Sequence, residues 1–246
     1  MKWEIKISAI LLLMSLFFYI VNYLTFHDTT FIEKYILVQL GFLPISVLLV
    51  SIVLNSLISR RQKQERIEKL NIVIASFFAE IGKDLLRYLS KYDMEIEEFA
   101  KDIISIEDFS DEDFDELKER IGERNYNINI ERMNLYELRK FLLDNKEFAV
   151  NLLDNPTLME HERFTELLWN LLHVTEELRR VLNFEKLPQE DRLDIKSDIE
   201  NLYRLLSYEW VYYVQYLKNT YPHIFIYEAK TNPFIPHSYH VKKRKI

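Results

Sequence analysis

Residues 7–26 read ISAILLLMSLFFYIVNYLTF, and residues 35–58 read YILVQLGFLPISVLLVSIVLNSLI. Neither run contains Asp, Glu, Lys, Arg or His. At twenty and twenty-four residues, each reaches the roughly 20 apolar residues that a helix needs to cross a bilayer. Together they predict a transmembrane hairpin over residues 1–59. Lys2 and Lys6 precede the first run, as in a signal peptide. Asn22, Tyr23, Leu24, Thr25 and Phe26 give no small-x-small cleavage pattern, however, and a second span follows at once. A retained helix is therefore expected. Basic residues set the orientation: Arg60, Arg61, Lys63, Arg66 and Lys69 follow the second run, whereas the loop 27–34 holds one Lys against Asp28 and Glu33. Both termini are expected on the cytoplasmic side of the cell membrane. The spans lack the acids, bases and His of ion pathways, so a pore would have to arise by oligomerisation.

Beyond the hairpin the composition changes. The chain carries a net charge of −7, and residues 1–59 balance to zero. The tail residues Lys242, Lys243, Arg244 and Lys245 are basic, which leaves −11 on residues 60–241. So acidic a body repels phosphate backbones, and nucleic acid is excluded as a partner. The tail itself is a candidate contact for anionic lipid. There are three Gly (Gly41, Gly82, Gly122), six Pro and no Cys. Few breakers and a Leu/Glu/Lys-rich sequence argue for an all-α domain. Without Cys there are no disulfides, thiol nucleophiles or zinc-thiolate sites.

Helix signals divide the body. Ile67, Leu70, Ile74, Phe77 and Ile81 follow a 3–4 spacing that continues to Tyr88, with Asp84 at one position of the stripe. This is a candidate self-association seam; the plainer alternative is a face packed on its own domain. Ala75, Ala79 and Gly82 form a small-residue stripe beside it. Asp111, Asp113 and Asp115 begin like a calcium loop, but Glu116 and Gly122 stand where that loop needs Gly and Glu. Ser110 with Asp113 reads instead as a helix N-cap, for a helix ending near Gly122. Asn134 with Glu137 resembles a capping pair, opening a helix to about Asp154. Asn155-Pro156 breaks it and starts the next, to about Phe184; Pro188 starts the last long helix, to about Tyr221. Pro222, Pro233 and Pro236 predict an irregular C-terminal segment.

One helix concentrates the chemistry. At about 100° per residue, Glu162, Glu166, Trp169, His173, Glu176, Glu177 and Arg180 share a face. Phe164, Leu167, Leu168, Leu171, Val174, Leu178, Val181 and Leu182 lie broadly opposite. The polar face reads as solvated, except that Trp169 within it points to a covering helix or partner. His with Glu on one stripe can also bind a metal or trade protons. Glu209 sits at the edge of an apolar face and wants a partner or a raised pKa; Arg179, Arg180, Arg204 and His173 are the candidates. His237 and His240 in the tail are weak metal evidence.

Asn155-Pro156, Glu160-His161-Glu162, Phe164-Thr165, Leu167-Leu168-Trp169, His173, Glu176-Glu177-Leu178, Glu209-Trp210, Tyr213, Tyr221-Pro222 and Asn232-Pro233-Phe234 resemble a motif of uncharacterised prokaryotic membrane proteins. So does the stretch from Lys69 to Gly82. The resemblance covers residues 45–235. It implies two spans with a cytoplasmic helical domain, and no chemistry.

The expected architecture is all-α. A transmembrane hairpin (1–59, spans 7–26 and 35–58) precedes a cytoplasmic bundle of five or six helices (60–232) and an irregular basic tail (233–246). No catalytic constellation is complete, and no cofactor or resident metal is expected. The leading functional expectation is a membrane-anchored interaction or signalling module that docks a second copy or another protein. Glu162, Glu166, Trp169, His173 and Glu177 form its candidate partner face. The alternatives are a metal-binding or hydrolytic domain using His173, Glu166, Glu177 and Glu209, and an oligomeric pore.

Overall fold

The structure is a computed structural model that describes residues 2–26, 29–156, 158 and 161–235. Among these the backbone is helical with no strand, apart from one isolated antiparallel bridge between Asp93 and Ile128. The chain divides into two compact units, Met1–Gln64 and Glu65–Ile246.

The first unit holds α1 (Lys2–Phe26) and the start of α2 (Thr29–Phe77), which runs through Pro44 without interruption. Its described apolar side chains face outward, among them Phe17, Phe18, Leu24, Leu48, Leu49 and Val53. Within Glu33–Ser90 an 18-residue window has a mean hydropathy of 2.5, and none of it is buried. Among the described residues this is the one helix long and apolar enough to cross a membrane; a shorter apolar stretch spans Leu13–Thr25. Three polar side chains here bond within their own helix. Thr25 Oγ1 donates to the Val21 carbonyl (2.7 Å) and Ser56 Oγ to the Ile52 carbonyl (2.8 Å). Gln39 Nε2 donates to the Tyr35 hydroxyl (2.8 Å).

In the second unit a π-helical turn, Phe78–Gly82, follows α2 and leads into α3 (Lys83–Ser90). An uninterrupted 3–4 spacing would bring Asp84 and Tyr88 inward after Ile81. The wider π turn holds an extra residue, and the buried positions move on by one, to Leu85 and Leu89. Asp84 is thereby left at the surface, where it pairs with Arg87 (2.7 Å). Gly82 makes the turn possible. A Cβ there would lie 2.5 Å from Phe78 Cδ1 and 2.8 Å from Phe77 Cε1. So Gly82, part of the small-residue stripe, accommodates its own neighbouring rings.

Next come α4 (Ile96–Ile103) and α5 (Asp111–Glu123). Ser110 caps α5 reciprocally: its hydroxyl accepts from the Asp113 N–H, and Asp113 accepts from the Ser110 N–H. Loops 92–94 and 127–129 run antiparallel, and the buried Asp93 holds Arg124 (2.5 Å). α6 (Leu135–Asp144) is capped by Asn134, whose side chain accepts from the Glu137 N–H. The single helix expected to Asp154 is interrupted at Asn145, whose φ/ψ of −103/2 leaves the α region. α7 (Lys146–Leu153) resumes it. Pro156 does not start the next helix but lies in a turn. α8 (Glu162–Arg180) begins instead at a His161 cap, whose Nδ1 accepts from the Phe164 N–H (3.1 Å). It ends at Arg180 rather than near Phe184. α9 (Gln189–Thr220) follows Pro188, and α10 (Pro222–Lys230) replaces the expected irregular segment, with Pro222 in its first turn. These breaks give eight helices from α3 to α10 among the described residues, in place of five or six.

α9 is the axis of this unit. It packs against α8, α5, α10 and α3, and Ile199, Leu202, Tyr203, Leu206, Trp210 and Val214 are fully enclosed along it. An ion pair between Lys83 and Glu228 (2.8 Å) fastens α10 to α3.

Candidate functional site

The rotation of α8 is set by its apolar edge. Phe164, Leu167, Leu168, Leu171, Val174 and Leu178 are completely buried, so the opposite edge is presented outward. Glu162, Glu166, Trp169 and His173 are exposed there, and Trp169 keeps 62% of its surface free. Trp169 is the large aromatic side chain of this edge, and its indole stands among polar neighbours.

The lower half of the same edge meets neighbours. Glu176 turns to α7 and accepts from Lys146 (2.5 Å), with Arg179 also at 2.6 Å. These two cations hold its carboxyl below the ordinary carboxylate range. His173 and Glu177, one turn apart, face α9 instead. His173 Nε2 lies 3.2 Å from Asp198 Oδ2. One ligand-type atom from each of His173, Glu177 and Asp198 lies within 4.8 Å of the other two. Burial, then the facing Asp198 carboxyl, pushes Glu177 up to about 7; Asp194 adds to the rise and His173 opposes it. Oε2 of Glu177 is enclosed and without a hydrogen-bond partner. Glu177 also lines a cavity of about 520 Å3 with Arg180, Lys186, Asp191 and Asp194.

The structure thus brings two of the anticipated residues, His173 and Glu177, together, and adds Asp198. The sequence carried a signal for that addition: Asp191, Asp194 and Asp198 recur at spacings of three and four, which puts them on one face of α9. Glu166 stands two turns from His173, about 10 Å along α8. Glu209 is eleven residues from Asp198, about 16 Å along α9. Neither joins the cluster.

Glu209 is 1% exposed, and neither carboxyl oxygen has a hydrogen-bond partner. Three of the four expected partners are engaged elsewhere: Arg179 with Glu176, Arg204 with Asn201 (2.7 Å) and His173 with Asp198; the fourth, Arg180, is exposed in the last turn of α8. Burial raises Glu209 to about 8, and only the charge of Arg163 opposes this. Arg163 itself lies over the Tyr208 ring, 4.3 Å from its centroid.

The expected self-association seam is corrected. Leu70, Ile74, Phe77 and Ile81 are buried in their own domain, where Phe77 meets Phe164 edge-on (5.2 Å). Ile67 alone of the stripe is exposed, at 41%. At the four buried positions the stripe packs within its own domain, the plainer of the two readings. Lys242, Lys243, Arg244, Lys245, His237 and His240 lie outside the described residues. Sequence reasoning also missed a second cavity of about 730 Å3, lined by Arg87, Ser90, Lys91, Lys230, Asn232 and Phe234.

Two family models match the chain. The C-terminal helical domain of uncharacterized protein MJ1433 matches residues 66–230, and the N-terminal helical domain of MJ1433 matches residues 1–58. Uncharacterized protein MJ1433 of Methanocaldococcus jannaschii is 36% identical over 234 residues, covering 95% of this chain and 94% of its own. No solved structure matches. The two matched domains fall on either side of the boundary between the two structural units, and the chain belongs to the MJ1433 family of helical-domain proteins.

Proposed function

We propose that the protein is a membrane-anchored helical domain that docks a protein partner on the outer edge of α8. The observation that carries the anchor is the uncovered apolar stretch of α2, whose most hydrophobic window has no buried residue. A core helix of a soluble domain would be mostly enclosed. Internal bonding of Thr25, Gln39 and Ser56 supports the same reading, because lipid offers such groups no other partner. The shorter stretch in α1 forms the second span, and both termini are cytoplasmic by the distribution of basic residues.

Docking rests on Trp169 between Glu162, Glu166 and His173. An aromatic ring flanked by carboxylates on an acidic body suits a partner that offers Lys or Arg beside an apolar side chain.

The chain has no Cys, so each introduced thiol reports alone. Thr30→Cys is expected to react with a membrane-impermeant maleimide in intact cells, and Gln64→Cys only after lysis. Equal labelling of both would overturn the topology. Release of the full chain by alkaline carbonate would overturn the anchor. For docking, a partner that co-purifies from gently solubilised membranes is expected to be lost from Trp169→Ala while the melting temperature stays unchanged. Retention of the partner would move the surface elsewhere.

A further inference from the structure

We propose that His173, Glu177 and Asp198 form a binding site for a divalent transition-metal cation, with Zn2+ the best match. The geometry carries the inference. The three side chains come from two helices whose apolar edges are locked into the core by Leu171, Val174, Leu178, Ile195 and Ile199. Their ligand atoms converge within 4.8 Å of one another. The His173–Asp198 separation of 3.2 Å is close to the roughly 3.3 Å between neighbouring ligands of a tetrahedral zinc ion.

A hydrogen bond between His173 and Asp198 explains only two of the three residues. It leaves the enclosed Oε2 of Glu177 without a partner and sets Glu177 beside another carboxylate. Among the described residues no Lys or Arg pairs with Glu177 or Asp198. Asp194, one turn before Asp198, adds a further negative charge to the same locality. A buried acceptor facing a like charge is costly unless something positive joins it. Bound to a metal, the two carboxylates would together carry a charge of −2, which a divalent cation cancels.

One nitrogen and two oxygens form a mixed set. Imidazole favours Zn2+ and its neighbours in the first transition row, and carboxylates are tolerated by the same ions. Three protein ligands leave at least one coordination position for water or a ligand. Glu177 also lines the cavity of about 520 Å3, so one ligand of the metal is shared with a space of small-molecule size. The outer edge of His173 remains exposed, which gives the ion a path from solvent.

The test uses the full-length protein in detergent, without a polyhistidine tag and stripped by chelator. Zn2+ alone is titrated by calorimetry, and Co2+ is used as a spectroscopic probe. One Zn2+ per chain is expected, together with a visible absorption band of a low-coordinate cobalt centre. His173→Ala and Asp198→Asn are each expected to weaken binding at least 10-fold and to remove the cobalt band, with helical circular dichroism retained. Glu112→Gln, at an exposed carboxylate of α5, is expected to bind as the parent does. Absence of saturable Zn2+ uptake at millimolar concentration would overturn the proposal. So would a His173→Ala/Asp198→Asn double variant that binds like the parent, since the ion would then sit elsewhere. Either failure leaves the anchoring and docking reading intact, because none of its tests involves a metal.

Discussion

Leu48, Leu49 and Val53 in the first unit and Leu85, Leu86 and Leu89 in the second are all aliphatic residues on helices, yet the former face outward and the latter are completely enclosed. Residue type does not separate the two groups. Pattern does. Residues 35–58 are apolar around the whole circumference, so no polar edge exists to turn toward water. Helices of the second unit have an apolar stripe and a polar edge; α3, α5, α8 and α10 close on α9, and α6 and α7 close on α8. An all-round apolar helix needs an apolar solvent, whereas a striped helix needs only its neighbours.

The largest test of this contrast lies on the enclosed side. Trp210 is fully buried against Phe234 (ring centroids 5.3 Å). Trp210→Ala is expected to cost about 4 kcal/mol, read as an earlier midpoint in urea unfolding followed by far-ultraviolet circular dichroism. On the outward side, Leu49→Arg is expected to cost about 3 kcal/mol of membrane insertion. It would be measured as the fraction released by carbonate. If that helix stood in water the substitution would cost almost nothing, and the contrast would collapse.

Glu209 sharpens the comparison from inside the core, as a polar group held where only apolar ones are comfortable. Its folded-state value of about 8 lies above the ordinary value of 4.5. The folded state therefore holds the proton more tightly. Stability falls as pH rises from the unfolded value through about 8, and levels off above it. Glu209→Gln is expected to flatten that slope and to raise stability near pH 9 by about 2 kcal/mol, less than the full linkage because the amide is also unpartnered. A pH series of urea midpoints decides it; parallel profiles for the two proteins would show that Glu209 is relieved in some other way. The smallest effect belongs to a surface cap: Ser110→Ala is expected to cost about 1 kcal/mol, seen as a small shift in melting temperature.

Local rules read well along this chain. Ser110 with Asp113, Asn134 with Glu137, Pro188 and the stripes of α8 and α9 could be placed because each depends on residues within a turn or two. What escaped depends on contacts far along the chain or on unusual backbone. The break at Asn145 falls on a residue type common at helix ends, whereas His161 is a cap that no propensity favours. Asp93 finds Arg124 thirty-one residues later, and His173 finds Asp198 twenty-five residues later. The face holding Glu162, Glu166, Trp169 and His173 was legible; its third metal-ligand candidate lay on another helix.

The π turn at Phe78–Gly82 can be restated as a matter of reading frame. Helical sequence has a phase, and this turn advances that phase by one residue for everything after it. Removing one codon between 78 and 82 would take out the extra residue and leave an ordinary helix with Leu85 and Leu89 still facing inward, whereas an ordinary helix that kept every residue would carry Asp84 and Tyr88 into their places. A deletion of the exposed Ala79 or Glu80 would therefore be better tolerated here than a one-residue deletion in the ordinary helix on either side. When relatives are aligned, one that lacks this turn should need a one-residue gap here to keep the apolar positions of α3 in register, and an aligner that forbids the gap would score a conserved core as a divergent one.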